Sequence, residues 1–209
     1  MNAIINQSPN VTNAMTTDQT NASPTPRPLS STLMMLAGIV LRYPTTIKPP
    51  NFTMVGGMSL FAGARYPLWQ ALCLPLVVML ISDVWLKLIF DFKPFNWFVY
   101  GSFIIYVLLG RLLRKTQSPM KIGTLSVLAS VQFFLITNFG VWYMNLGSPT
   151  ATYEPTLLGL LTCYAAALPF LAFTMAGDLG FAAVLFGAHA YATADIPAEK
   201  PAVMAEVAR

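Results

Sequence analysis

Two carboxylates sit where carboxylates are rare: Asp83 in LISDVWL and Asp178 in MAGDLGF, each inside an apolar run. At the centre of a bilayer such a group costs at least about 2.5 kcal/mol, so it is turned toward protein, paired, or solvated in a cavity. A third polar insertion, Thr137-Asn138, lies within FFLITNFGVWYM, just ahead of the Trp142-Tyr143 pair. The ordinary role of such groups is helix packing, bonded to Ser, Thr or backbone. The chemical role is to line a site for a small, partly polar molecule. Asn138 is expected to face an internal cavity. Gln132, six residues away and about 240° around the helix, need not share that face.

No catalytic set accompanies these residues. His189 is the single histidine, which excludes bis-His haem and any Ser-His-Asp triad at the depth of the carboxylates. Cys73 and Cys163 lie in apolar runs without metal-ligand spacing and read as buried thiols. There is no phosphate-cradling G-x-x-x-x-G-K-[ST] and no dinucleotide fingerprint. The expectation is a protein that is not an enzyme and holds neither cofactor nor metal. If nucleotide powers it, another subunit supplies the nucleotide site.

The composition says what positions these groups. Of 209 residues, 56% are hydrophobic and only 10% charged, against about 25% charged in soluble domains. Too few charges remain to coat a globule, so most of the surface is expected to face lipid. The net charge of +4, from 12 Lys+Arg and 8 Asp+Glu, then reads as membrane topology and not as nucleic-acid affinity.

Between polar tails at 1–29, expected to be disordered, and 191–209, expected to be flexible, the chain reads as an all-α domain over 30–190. It is an integral membrane bundle of six short transmembrane helices. The apolar segments are Ser31 to Tyr43, Thr53 to Ala64, Leu68 to Ile89, Phe95 to Leu113 and Gly123 to Met144. The second is short and rich in Gly, Ala and Ser, which permits close helix approach in lipid. The last stretch, Thr156 to His189, contains Pro169 and is expected to break there. That gives an interfacial helix to Leu168 and a span from Phe170 to Ala188. Two crossings by this stretch is the competing reading.

The loop RLLRKTQSPMK, with Arg111, Arg114, Lys115 and Lys121, carries the densest positive charge and is expected to be cytoplasmic. Counting outward places Arg65 and both termini on that side. Arg42, Lys48, Lys87 and Lys93 oppose the count. The loops 44–52, 90–96 and 145–155 then face outside. Asn51, Asp83, Asn96, Trp97, Asn138 and Trp142 fall toward that face, together with Tyr153 and Glu154. They are the candidate substrate-binding residues; an interfacial aromatic belt accounts better for any single Trp or Tyr taken alone, but not for Asn138 or Asp83, which lie deeper.

The runs PPNFTMVGGMSLFAGARYPLWQAL, SDVWL, YGSFIIYVLLGRLLRK, FFLITNFGVWY, YEPTLLGLLTCYAAALPF and GDLGFAAVLFG resemble an uncharacterised bacterial multi-pass membrane family. That family is similar in layout to the substrate-binding S components of energy-coupling-factor (ECF) vitamin transporters. The resemblance covers roughly Leu33 to Gly187. It implies six helices with both termini inside, in the bacterial inner membrane, and ligand bound near the outer face. S components that dock on a shared ATPase module often carry small residues four apart in the first span. Here Ala37 is followed at that spacing by Leu41, so a solitary carrier also fits. The reading is a carrier or substrate-binding subunit for uptake of a small micronutrient, a vitamin or related molecule. Its partners are the lipid bilayer, a small-molecule ligand, and an energising ATPase module or a larger membrane complex, and not nucleic acid. The alternative is a non-catalytic accessory subunit of a respiratory or photosynthetic complex, with no cavity and with Asp83 and Asn138 bonded inside the bundle.

Overall fold

The computed structural model describes residues 28–42, 51–90, 96–148 and 151–194. The tails expected at the two ends lie outside the described residues, apart from 28–29 and 191–194, which are helical. Lys48 and Lys93 lie outside them as well. Among the described residues there are six helices and no strand: α1 (Pro28–Leu41), α2 (Val55–Arg65), α3 (Leu68–Phe90), α4 (Trp97–Arg111), α5 (Pro119–Met144) and α6 (Leu157–Ala194).

Three helices are long and apolar enough to cross a membrane: α3, α5 and α6. At 1.5 Å per residue they measure about 35, 39 and 57 Å, against a hydrocarbon core of about 30 Å. Their outward faces carry large apolar side chains. Leu88 is 79% exposed and Val184 65%, exposure of large apolar side chains that suits lipid. The six segments expected to cross are thus three long helices, two shorter apolar ones (α1 and α4) and a buried one.

The buried one is α2. Its 11 residues, VGGMSLFAGAR, are buried without exception, and at about 16 Å it is too short to cross. Three glycines inside a helix cost about 1 kcal/mol each relative to Ala, and here close packing offsets that cost. A β-carbon on Gly63 would lie 2.1 Å from the carbonyl oxygen of Val107, and one on Gly110 would lie 2.3 Å from that of Leu60. The α2 and α4 backbones therefore touch directly, as small residues allow in lipid.

The C-terminal ends of these two helices cap each other. Arg65 donates through Nη1 to the carbonyls of Leu113 (3.2 Å) and Arg114 (3.2 Å), and through Nη2 to Thr116 (3.0 Å). Arg111 donates back to Gly63 (3.3 Å) and Tyr66 (2.9 Å). Each guanidinium satisfies carbonyls that a helix end leaves without partners, at the end where the helix dipole favours a cation. Phe186 of α6 lies under Arg65, with Cζ 5.3 Å from the ring centroid, and His189 packs edge-on against Phe61.

The stretch expected to break at Pro169 is one continuous helix of 38 residues, and it continues through 191–194, beyond the expected boundary. Pro169 and Ala165, whose carbonyl loses its helical donor, are both exposed. The ring therefore lies at the surface of the bundle, and a spanning helix absorbs it locally. α6 passes once, not twice, and it starts beside the C-terminus of α5 and ends beside Arg65. The C-terminal end of α6 consequently lies at the end of the bundle that holds Arg65 and Arg111. Cys163 is buried as expected, but Cys73 is exposed on α3, where lipid serves an apolar thiol as well as a core does.

Candidate functional site

The opposite end of the bundle holds the second group of polar residues. Arg42, at the end of α1, reaches Asp83 of α3 (Nη1 to Oδ1, 2.7 Å) and the Ser82 hydroxyl (2.5 Å). Tyr100, in the first turn of α4, donates to the other Asp83 oxygen at 2.9 Å. Arg42, one of the four cations that opposed the topology count, is therefore paired in place, and Asp83 joins α1, α3 and α4. The side chains are 19% and 12% exposed, so the pair is partly shielded from water and its attraction exceeds that of a surface salt bridge.

Deeper in the bundle, Asp178 of α6 is 2% exposed. Its Oδ2 accepts from Tyr106 of α4 (2.5 Å) and from Ser130 of α5 (2.7 Å). The backbone N–H of Gly57 donates to the same carboxylate. Its Oδ1 lies where a Gly56 side chain would be, 2.0 Å from the position of that β-carbon. Gly56 and Gly57 form the first turn of α2, where Met54 provides no side-chain cap. Asp178 thus caps α2 from another helix, placing a negative charge at the positive end of its dipole. Only glycine permits a carboxylate this close to the turn.

Between the two groups lies a cavity of about 190 Å³. Arg42 and Asn51 border it at the end of the bundle, Asp178 and Thr174 lie along α6, and Phe103, Tyr106 and Phe133 supply aromatic wall. Asn51 adopts a left-handed backbone (φ 61°), a conformation asparagine tolerates better than most residues. It leads the chain into α2 beside the cavity.

Of the six residues expected to converge, Asn51 lines this cavity. Asp83 sits one contact away, bonded to the lining residue Arg42. The other four are engaged elsewhere. Asn96 caps α4, its side chain accepting from Phe98 N at 3.0 Å. Trp97 is 76% exposed. Asn138 does not face the cavity as expected, because its amide turns back to the Phe134 carbonyl one turn earlier (2.8 Å). Trp142 donates to the Glu154 carbonyl (2.9 Å) and pins the α5–α6 connection. Gln132 reaches the Ser102 carbonyl of α4 at 3.4 Å, a packing contact.

The sequence reading missed Arg42, Tyr106 and Ser130. Tyr106 offered a signal: a phenol in the middle of the apolar run GSFIIYVLLG needs a buried partner. Asp178 was the acceptor of comparable depth still without one. Arg42 offered the same kind of signal, as a cation at a helix end with Asp83 at matching depth in the next long span.

Three helices long and apolar enough to cross a membrane, packed with three shorter ones around a buried polar centre, place the chain among all-α proteins with candidate membrane spans. More particularly, residues 22–199 match the model of a family of unknown function, DUF6580, and the chain belongs to that family. No curated protein and no solved structure matches the chain. Among the described residues no group of His, Cys, Asp and Glu is placed to hold a metal ion.

Proposed function

We propose that the protein is a carrier, or the substrate-binding subunit of one, that takes up a small polar solute. In this reading it lies in a bacterial inner membrane with both termini cytoplasmic. The observation that carries the proposal is the cavity running from Arg42 and Asn51 to the buried Asp178. A polar hollow at membrane depth is costly to keep unless it is used, and an intramembrane carboxylate on its wall is by default a functional group. At about 190 Å³ the space falls below the roughly 300–1,000 Å³ of drug-sized sites. A solute at the small end of the micronutrients, smaller than a whole vitamin, suits it best. The cluster of Arg65, Arg111, Arg114, Lys115 and Lys121 at the opposite end supports a cytoplasmic assignment there, which puts the Arg42 end outside. On the likeness to ECF S components drawn from the sequence, an ATPase module would supply the energy.

The test is purification of the full chain in mild detergent, followed by mass spectrometry of what it carries. A small molecule present with the wild type and absent from Val99→Phe, which pushes a ring into the cavity, supports the carrier. A molecule retained equally by both proteins, or none in either, refutes it. The accessory-subunit reading has its own support, since Asp83 and Asn138 are both bonded inside the bundle. Stoichiometric membrane-protein partners in the same preparation would favour it.

A further inference from the structure

The geometry points to a small organic cation, a primary or methylated ammonium, as the class of solute this cavity takes. The inference rests on the carrier reading of the same cavity and adds the sign of its charge and the chemistry of its wall.

The charges come first. Two ionic side chains border the cavity, Arg42 and Asp178. Arg42 is matched by Asp83 at 2.7 Å, and that pair is neutral as a unit. Asp178 has no cationic partner among the described residues. Its neighbours are the Tyr106 and Ser130 hydroxyls and the Gly57 N–H. Three donors and a helix N-terminus meet the carboxylate oxygens, and none of the three donors is a cationic side chain. The polar centre as a whole therefore holds one carboxylate more than it has cations, and that carboxylate is 2% exposed on a cavity wall. In a medium of low dielectric such a charge draws a monovalent cation far more strongly than it would at a surface.

The wall chemistry comes second. Phe103, Tyr106 and Phe133 form a continuous aromatic group, with centroid separations of 5.3 Å (Phe103–Phe133), 5.7 Å (Phe103–Tyr106) and 6.1 Å (Tyr106–Phe133). All three line the cavity that Asp178 borders. A carboxylate beside grouped rings is the combination that recognises ammonium ions, the rings attracting the cation through their quadrupoles. A bare metal ion gains little here. Among the described residues no group of His, Cys, Asp and Glu is placed to hold one, and two of the three groups touching Asp178 are bonded to it as donors through Oδ2.

The experiment is thermal unfolding of the full chain in detergent, followed by tryptophan fluorescence, during titration with tetramethylammonium and methylammonium chlorides. Sodium chloride at matched ionic strength, neutral tert-butanol and anionic pivalate are the comparisons. The expected result is a saturable rise in the unfolding midpoint with one or both ammonium salts and none with the comparisons. Phe133→Leu, which keeps the carboxylate and its donors, should weaken the effect about 5-fold or more, and Asp178→Asn should abolish it. Should Asp178→Asn fail to fold, the Phe133→Leu titration decides alone. An equal rise with sodium, an equal affinity in Phe133→Leu, or no rise with either ammonium salt overturns the inference. A rise with tert-butanol or pivalate that Val99→Phe removes also overturns it, while leaving the cavity as a solute site.

Discussion

Replacing Gly63 by alanine sets two effects of opposite sign against each other. Helix propensity alone makes the change favourable by about 1 kcal/mol. The new methyl would lie 2.1 Å from the Val107 carbonyl oxygen and 3.1 Å from the α-carbon of Gly110. Both obstacles are backbone, so no side chain can swing aside, and α2 and α4 must part by about 1 Å to restore contact distance. Overpacking of this kind costs about 1–3 kcal/mol. Separation also stretches five guanidinium–carbonyl bonds between the two helix ends, now 2.9–3.3 Å. Bonds from a charged donor are worth about 1.5–3 kcal/mol each, and partial loss of one or two outweighs the propensity gain. The expected net destabilisation is about 2–4 kcal/mol, or a fall of roughly 5–15 °C in unfolding midpoint for a chain of this size. Gly101→Ala supplies the control, since a β-carbon there meets nothing within 4 Å; it should raise the midpoint slightly. Tryptophan fluorescence during heating in detergent reads both. If Gly63→Ala unfolds at or above the wild-type temperature, the backbone contact is not what holds α2.

Arg42→Met strips Asp83 of its cation and should destabilise by about 3 kcal/mol or more; Arg42→Met with Asp83→Leu should recover much of the loss, read as a double-mutant cycle of unfolding midpoints. Tyr106→Phe removes one donor from the buried Asp178 and should cost about 1.5–3 kcal/mol, whereas Tyr164→Phe, on a half-buried residue whose hydroxyl donates to the Leu135 carbonyl at 2.8 Å, should cost less. Pro169→Ala restores a helical N–H on an exposed face and should raise the midpoint. A fall there would show that α6 depends on the local distortion the proline imposes.

How much was legible in the sequence differs by feature. The apolar runs gave α3 to within one residue and α5 to within four, because lipid-facing helices need nothing but length and hydrophobicity. The same criterion misread α2. Its glycines signalled close packing, but the apolar pattern of a helix surrounded by protein looks like that of one surrounded by lipid. Pro169 misled for a related reason: proline breaks helices in water, where the freed carbonyl finds solvent, but a single ring on an open face leaves a membrane helix intact. The site was half legible. Asp83 and Asp178 stood out by type and depth, yet depth alone cannot say which way a side chain turns. Asn138 stands at the expected height and bonds to its own helix, while Tyr106 and Ser130, unremarkable as residue types, turn inward to the carboxylate.

The buried helix explains why Asp178 is where it is. In lipid or a protein core, the N–H and C=O groups left over at helix ends have no water to satisfy them. α2 meets this with ionic groups from its neighbours: a carboxylate from α6 at its N-terminus and the Arg111 guanidinium from α4 at its C-terminus. Each has the sign that the dipole favours. Asp178 therefore has a structural task whether or not a solute binds, and loss of binding in Asp178→Asn alone would not separate the two. The separation comes from the cavity side. Val99→Phe and Phe133→Leu alter the cavity wall but none of the groups bonded to Asp178, so a change in ligand response with an unaltered unfolding midpoint in the absence of ligand comes from the cavity. If every variant that alters the response also lowers that midpoint, Asp178 is a helix cap and the hollow beside it is incidental to packing.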